Sequence, residues 1–423
     1  MALLSPYRRR WIILALIFCA ILLNYIDRQI LSILKPTLKC EFGLDDRGYA
    51  LLVNIFAVCY ATMYPVAGWL VDRFGARRMM LIGIVAWSSA CIGAGLTRTF
   101  SRFGFFRGML GLAEPVAFPS QLRVVATWFP GKLRATANSV SVAGSSIGAV
   151  IAPPLISWLA IRFNWHAAFI VPGVIGLGLA VLWWLIYRDP PPEVAREAAE
   201  SSGFASSEAF TWPQLWRTRS LWGILLCRFI SDPVWYFCLF WLPGYLQERS
   251  GLSLAAIGMV GWIPFLAADL GGVGSSMWSD RLVRRGIAPL RARKLMLTAA
   301  AACAPVAALT PYLPHPAVTI ALFCVVGAVS LSWLFTLSVV VAETFPTGNV
   351  GSVMGIAAGF GATGAIVFNV FVGRVMETLS SGQVFAVMAV LHPVAAILLW
   401  TMVRPERPNS ARPQVVAGAT SPA

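Results

Sequence analysis

The sequence predicts an all-α membrane protein with twelve transmembrane helices in two pseudo-symmetric six-helix bundles. Three observations carry that expectation. Residues of the AVILMFWYC set make up 58% of the 423, and only 12% are charged, whereas soluble domains have about a quarter of their residues charged. Apolar runs of about 20 residues, the length that crosses a bilayer, recur from one end of the chain to the other. The two halves of the chain also repeat each other's loop sequences.

The first run begins "WIILALIFCAILL" at Trp11 and continues through "NYIDRQILSIL" to residue 35. "YRRR" precedes it, but no small-residue cleavage site follows, so it reads as a span and not as a signal peptide. The remaining runs cover 48–71, 79–97, 102–126, 137–161, 167–187, 222–247, 254–279, 294–313, 317–342, 350–375 and 383–403. An even number of spans puts both termini on one side. The tails and the connections on that side hold 21 of the 33 Lys and Arg. Loops rich in Lys and Arg stay in the cytoplasm, so both termini are expected there.

The net charge of +15 is therefore mainly a topology signal. A nucleic-acid surface would gather basic residues on one face with aromatics between them, and here they are scattered over short loops. The cysteines lie mostly within spans without metal-ligand spacing, which reads as small apolar filler and implies no metal and no cofactor. His166, His315 and His392 read as lying at loops or span ends. No nucleophile–base set or phosphate-binding loop appears, so an enzyme is not expected.

Residues 188–221 open with "RDPPPEVAREAAESSG". The prolines stop the sixth helix, and the Glu, Ala and Ser content suits a linker. The expected organisation is a bundle over 1–187, a cytoplasmic linker over 188–221, a second bundle over 222–403 and a cytoplasmic tail over 404–423. "GWLVDRFGARR" after the second span matches "SMWSDRLVRRG" after the eighth; "TWFPGKLRATANSV" after the fourth matches "ETFPTGNVGSVMG" after the tenth. Parallel repeats of this kind rock against each other around a site near the membrane midplane.

These residues carry a family resemblance. "GWLVDRFGARRMML" from Gly68 resembles the loop signature of the major facilitator superfamily. "NYIDR", "GLAEPVAFPS" and "WFPGKLRATANS" resemble the anion:cation symporters within it, and "RFISDPVWYFCLFWLPGYL" with "PFLAADLGGVG" is most similar to the hexuronate transporters. The resemblance covers residues 11–403. It implies that the acids at Asp27 and Glu114 carry proton coupling, and that Tyr25, Arg28 and Tyr60 bind an anionic sugar. One departure stands out: the tenth helix reads "GAVSLSWLFTL" where the hexuronate carriers have a more polar run. Ser330, Ser332 and Trp333 then leave fewer long hydrogen-bonding side chains to read hydroxyls, so looser selectivity is expected.

Charges inside spans have to be explained, since each costs about 3 kcal/mol at the bilayer centre. At about 1.5 Å per residue, Asp27 and Arg107 can lie level, which predicts that they pair. Arg107, Gly111 and Glu114 form one stripe, with the glycine admitting a neighbouring helix. A carboxyl group at the depth of Glu114 suits reversible protonation, because desolvation disfavours its charged form. Arg28 follows Asp27 by about 100° around the helix and can face a central cavity, where its planar fork matches a carboxylate. Tyr60 and Tyr64 on the second helix, and Trp235 and Tyr236 on the seventh, offer aromatic faces to a sugar ring. Arg228 and Asp232 are expected to pair with each other or with Asp269, in a structural or gating role. Arg123 is expected to snorkel or to meet Asp72. Gly68, Asp72, Arg73 and Arg78 read as a conformational latch between the bundles.

The expected function is proton-coupled import of a sugar acid, most closely a hexuronate such as galacturonate or glucuronate, by a monomer in the plasma (inner) membrane. Its partners are the anion, the proton and the lipid bilayer, with no nucleic acid. The alternatives are carriage of another organic anion, an aldonate or aromatic carboxylate, and a non-transporting sensor.

Overall fold

The computed structural model describes residues 6–194, 196, 210–313, 315–378 and 382–404. Much of the predicted linker and all of the predicted tail after Arg404 lie outside these. Among the described residues every regular element is a helix. The first bundle contains α1 (Pro6–Ile33), a short α2 (Lys35–Phe42), α3 (Asp46–Phe74), α4 (Ala76–Leu96), α5 (Phe100–Ala113), α6 (Ala117–Trp128), α7 (Gly131–Arg162) and α8 (Trp165–Ile186). After the linker helix α9 (Trp212–Arg217) come α10 (Arg219–Phe240), α11 (Leu242–Glu248), α12 (Leu254–Val260), α13 (Ile263–Arg284), α14 (Pro289–Cys303), α15 (Pro316–Thr344), α16 (Thr347–Thr378) and α17 (Gly382–Met402).

Eleven helices or joined helices among the described residues are long and apolar enough to cross a membrane. The twelfth span is the fourth in order, and it is broken. A 3-10 turn over Glu114–Val116 separates α5 from α6, at the point where Pro115 removes a backbone donor and its ring crowds the preceding turn. Glu114 thus sits at a break in its helix and not inside a regular turn.

The helix ends follow from the connections. Asp45 caps α3 by accepting from the Gly48 N–H at 2.7 Å, and Asn164 caps α8 by accepting from the Ala167 N–H at 2.9 Å. Such caps satisfy amide groups that the first turn leaves unpaired. Gly75, at φ 86, makes the sharp turn between α3 and α4 that gives the loop signature its glycine. The end of the linker is tied to the second bundle, where Phe210 exchanges two hydrogen bonds with the side chain of Asn349.

Small residues let the bundles' helices close on one another. A Cβ at Gly144 would collide with the Phe18 carbonyl oxygen at 2.6 Å, and one at Gly148 with that of Leu22 at 2.6 Å, so α7 lies directly on α1. This close packing substitutes for the hydrophobic drive that lipid cannot supply. The expectation for His392 is corrected: it lies in the middle of α17, buried, with its ring 5.6 Å from that of Trp333.

The two bundles meet at mid-depth and at the end away from the chain termini, called here the far end. Tyr49 on α3 donates to the Phe240 carbonyl, and Gln247 on α11 donates to the Ile33 carbonyl at 2.8 Å. Lys35 lies at the centre of this contact. Its ammonium is 2.8 Å from Asp46 and 2.7 Å from Glu248, its side chain is 3% exposed, and it lies over the rings of Tyr49 and Trp241. Lys39 reaches the same two carboxylates at 2.9 and 3.3 Å. Burial works to lower the Lys39 pKa, but its bonds to Asp46 and Glu248 outweigh that and hold it above the usual lysine range.

Candidate functional site

Between the bundles, on the terminal side of these contacts, lies a cavity of about 180 Å³ whose wall includes Arg28, Tyr60, Arg228 and Asp232. Arg28 is its most deeply engaged charge. Its Nε donates to Glu114 Oε2 at 2.6 Å, with Glu114 fully buried and Arg28 8% exposed. The break after α5 is what frees Glu114 to turn toward α1. The Arg28 guanidinium also lies 4.6 Å from the Tyr60 ring and 5.0 Å from that of Tyr25. Only Nε is committed to the carboxylate, and Nη2 is buried without a partner among the described residues. A guanidinium held this way keeps donors for an arriving anion.

The predicted Asp27–Arg107 pair does not form. Asp27 accepts from the Cys91 thiol on α4 at 3.5 Å. Arg107, 1% exposed, has all three guanidinium nitrogens without hydrogen-bond partners among the described residues and lies 4.9 Å over the Phe56 ring. The direction of the stripe explains this. A Cβ at Gly111 would meet the Phe56 carbonyl oxygen at 2.5 Å, so Arg107 and Gly111 face α3 and not α1. The glycine admits a neighbouring helix as expected, but that helix carries Phe56, whose ring also lies 5.7 Å from Arg28. Glu114 therefore neutralises Arg28, and Asp27 is left to α4.

The predicted aromatic residues do converge. Tyr25, Tyr60, Tyr64, Trp235 and Tyr236 all line the cavity, with the Tyr60 and Tyr64 rings 5.7 Å apart. Trp235 packs edge-on to Phe265 at 6.1 Å. Arg228 Nε lies 3.0 Å from Asp232 Oδ2, and both side chains are on the cavity wall. Asp269 is not part of that pair. It accepts from the Ser146 hydroxyl on α7 at 2.7 Å and so links the bundles at mid-depth.

The three tenth-span residues singled out in the sequence lie off the cavity wall. Ser330 bonds back to the Val326 carbonyl at 2.8 Å, Ser332 to that of Ala328 at 2.6 Å, and the Trp333 indole donates to Leu297 at 3.1 Å. These side chains bond to their own helix or to a neighbouring one, and Ser332 also donates to the Gly271 carbonyl at 3.1 Å. Leu334 presents that helix to the cavity, while α16 contributes Gly355, Ala358, Gly359 and Ala362. A glycine- and alanine-rich wall leaves room for a ligand without supplying donors.

The residues expected to form a latch sit at the terminal end. Asp72 is 84% exposed and 3.8 Å from Arg123, which also donates to the Val71 carbonyl. Arg73 stacks on Trp69 and Phe74, Arg78 is exposed, and nothing stands within 4 Å of a Cβ at Gly68. These contacts, among the described residues, are all within the first bundle. Sequence reasoning missed the Lys35 centre. Its signal was present as charges flanking three spans, in "LKPTLKCEFGLDDR" and "LQER".

The comparisons with known proteins agree with this fold. The family profile described as Major Facilitator Superfamily matches residues 17–367. The chain is 27% identical to the hexuronate transporter of Escherichia coli (strain K12), over 93% of its own length and 94% of the relative's. It is 31% identical to the galacturonate transporter of Dickeya chrysanthemi, over 62% and 79%. It is 30% identical to the "Probable galactarate/D-glucarate transporter GarP" of E. coli (strain K12), over 88% and 89%. Among solved structures it is similar to a bacterial homolog of the human lysosomal transporter Spinster in an inward-facing, occupied conformation, with TM-score 0.75, 19% identity and coverage of 95% and 98%. It is also similar to the inward open xylose transporter XylE from E. coli, with TM-score 0.73, 15% identity and the same coverage. A broken fourth span, a cavity between two six-helix bundles and a matched profile over most of its length identify this multi-pass membrane protein as a member of the Major Facilitator Superfamily.

Proposed function

We propose that the protein is a proton-coupled symporter that imports an anionic sugar acid, most closely a hexuronate such as galacturonate or glucuronate. The observation that carries the reading is the buried Arg28–Glu114 pair at the head of an aromatic-walled cavity between the bundles. A carboxylate docking on the free edge of Arg28 puts two anions on one cation. That favours proton uptake by Glu114, because a neighbouring like charge disfavours its ionised form. Anion and proton then bind together. Asp27 is the second candidate proton site, with Arg107 beside the same Phe56 ring as Arg28. Tyr25, Tyr60, Tyr64, Trp235 and Tyr236 supply faces and hydroxyls for the sugar.

In this reading residues 1–187 and 222–403 are the two moving bundles, joined by 188–221. The termini face the cytoplasm of a cell whose inner membrane holds the monomeric carrier. Gly68, Asp72, Arg73 and Arg78 engage when the terminal end closes. The shortage of long polar side chains on α15 and α16 favours a second reading, transport of a less hydroxylated organic acid. Uptake of labelled galacturonate, glucuronate, an aldonate and an aromatic carboxylate into proteoliposomes under an imposed pH gradient tests both. Gradient-driven accumulation of the uronates is expected; accumulation of the aromatic acid alone would replace the sugar reading with the second.

A further inference from the structure

We infer that Arg228 forms a second anion subsite in the same cavity, so that the protein takes six-carbon sugar diacids with one carboxylate on each arginine. This rests on the sugar-acid reading above and, within it, ranks the diacids ahead of the hexuronates named there.

The two arginines are presented alike. Arg28 comes from the first bundle and Arg228 from the second, and both line the cavity. Each has a carboxylate of its own bundle beside Nε: Glu114 at 2.6 Å for Arg28, and Asp232 at 3.0 Å for Arg228. A guanidinium offers two edges to an acid, and an acid at Nε leaves the edge formed by the two Nη atoms open. Arg228 donates no hydrogen bond among the described residues, since even its Nε is misaligned with Asp232. Its side chain retains 13% exposure.

Asp232 has a positioning role. Gly361 on α16 faces it so closely that a Cβ there would overlap the carboxyl group. The acid is thus seated between α10 and α16, and it draws the arginine to the wall.

The spacing suits a diacid. Arg228, Asp232 and Tyr236 are four residues apart in turn and share one face of α10. Tyr236 belongs to the aromatic group around Arg28, through Phe240 at 6.0 Å and Phe56 beyond it at 6.2 Å. Eight residues of helix place Arg228 about 12 Å further toward the terminal end. An extended six-carbon diacid separates its carboxyl carbons by about 6 Å. With a guanidinium about 4 Å beyond each, it spans about 14 Å. Tyr60, Tyr64 and Tyr236 lie along the path and can meet the hydroxyls between. A uronate, closed into a ring with one carboxylate, reaches only one arginine.

Calorimetric titration of purified protein with galactarate and galacturonate tests this, because the two acids have the same carbon number and differ in the second carboxylate. Wild type is expected to bind galactarate more tightly. Arg228→Gln should weaken galactarate binding by about 10- to 100-fold, the range for a hydrogen bond to a charged group, and galacturonate binding by no more than threefold. Arg228→Lys, which keeps the charge but not the fork, should fall between and serves if the Gln protein does not fold. Asp232→Asn should lower the preference for the diacid with a smaller effect than Arg228→Gln. Equal losses for both acids, or none for either, would make Arg228–Asp232 a structural pair and overturn the second subsite. Failure of wild type to bind either acid would instead remove the sugar-acid reading, and the subsite with it.

Discussion

Replacing Lys35 by methionine should open the far end of the molecule. The lysine contacts Asp46 and Glu248 at 2.8 and 2.7 Å while almost fully buried, and it lies 4.8 Å from the Trp241 ring. Methionine keeps most of the apolar stem, which passes close to Gly244, and removes only the charge. Breaking a buried pair outright costs about 3–5 kcal/mol, but Lys39 shares both carboxylates and recovers part of it. With a cation–π contribution of about 0.5–2 kcal/mol, a net loss of about 2–4 kcal/mol from the far-end-closed state is expected. At about 1.4 kcal/mol per tenfold, the ratio of open to closed molecules rises by about thirtyfold to several hundredfold. Spin labels at Glu41→Cys and Ala255→Cys, both exposed positions in different bundles, in a background lacking the native cysteines, report the separation by pulsed electron resonance. The longer-distance population should become dominant or rise at least tenfold. A distance distribution unchanged from the parent, in a protein of unchanged melting temperature, would refute a gate centred on Lys35.

Four further substitutions test the interior. Glu114→Gln should abolish accumulation against a gradient while leaving counterflow of bound acid partly intact; full accumulation driven by a pH gradient would move the proton site elsewhere. Arg28→Lys should weaken carboxylate binding by about 1.5–3 kcal/mol in a calorimetric titration, and unchanged affinity would take the anion off Arg28. Gly111→Ala forces a methyl group against Phe56 and should destabilise by about 1–3 kcal/mol, the usual penalty of overpacking, seen as a lower melting temperature. His392→Leu removes two ring nitrogens that are buried without partners and should raise the melting temperature, since an unsatisfied buried group costs about 1–3 kcal/mol; a drop would mean that the imidazole has a bonding role.

The spans were legible because crossing lipid demands long apolar runs, and the aromatic wall was legible because Tyr60, Tyr64, Trp235 and Tyr236 fall at mid-depth. Azimuth was harder to read. Depth put Asp27 and Arg107 level, but level residues meet only if their helices turn them inward, and Gly111 turns that stripe to α3. The Arg28–Glu114 pair depends on a break that Pro115 allows but does not by itself dictate. The tenth span shows the same limit: the residue types at Ser330, Ser332 and Trp333 could be read, but not that these side chains bond to their own or a neighbouring helix and lie off the cavity wall. The Lys35 centre was legible only as charges flanking three spans, because its two acids come from α3 and α11 and only assembly of the bundles brings them together. His392 was misplaced for a simpler reason, since a polar residue inside an apolar run invites assignment to its edge.

The helix lengths have a consequence for the surrounding lipid. α7 and α16 have 32 residues each, about 48 Å at 1.5 Å per residue, against a hydrocarbon layer of about 30 Å. Such helices must tilt or project, and hydrophobic mismatch costs a fraction of a kcal/mol for each Å left uncompensated. Both helices also cross the interface: α16 packs on α3 at Gly373, and α7 packs on α12 where Gly258 meets Ser157. The proposed rocking of one bundle against the other would change their tilt, and with it their fit to the bilayer. Membrane thickness thereby acts as a thermodynamic partner of the carrier. Thin and thick bilayers will hold the same protein at different balances of its two faces, even when the solutions on either side are identical.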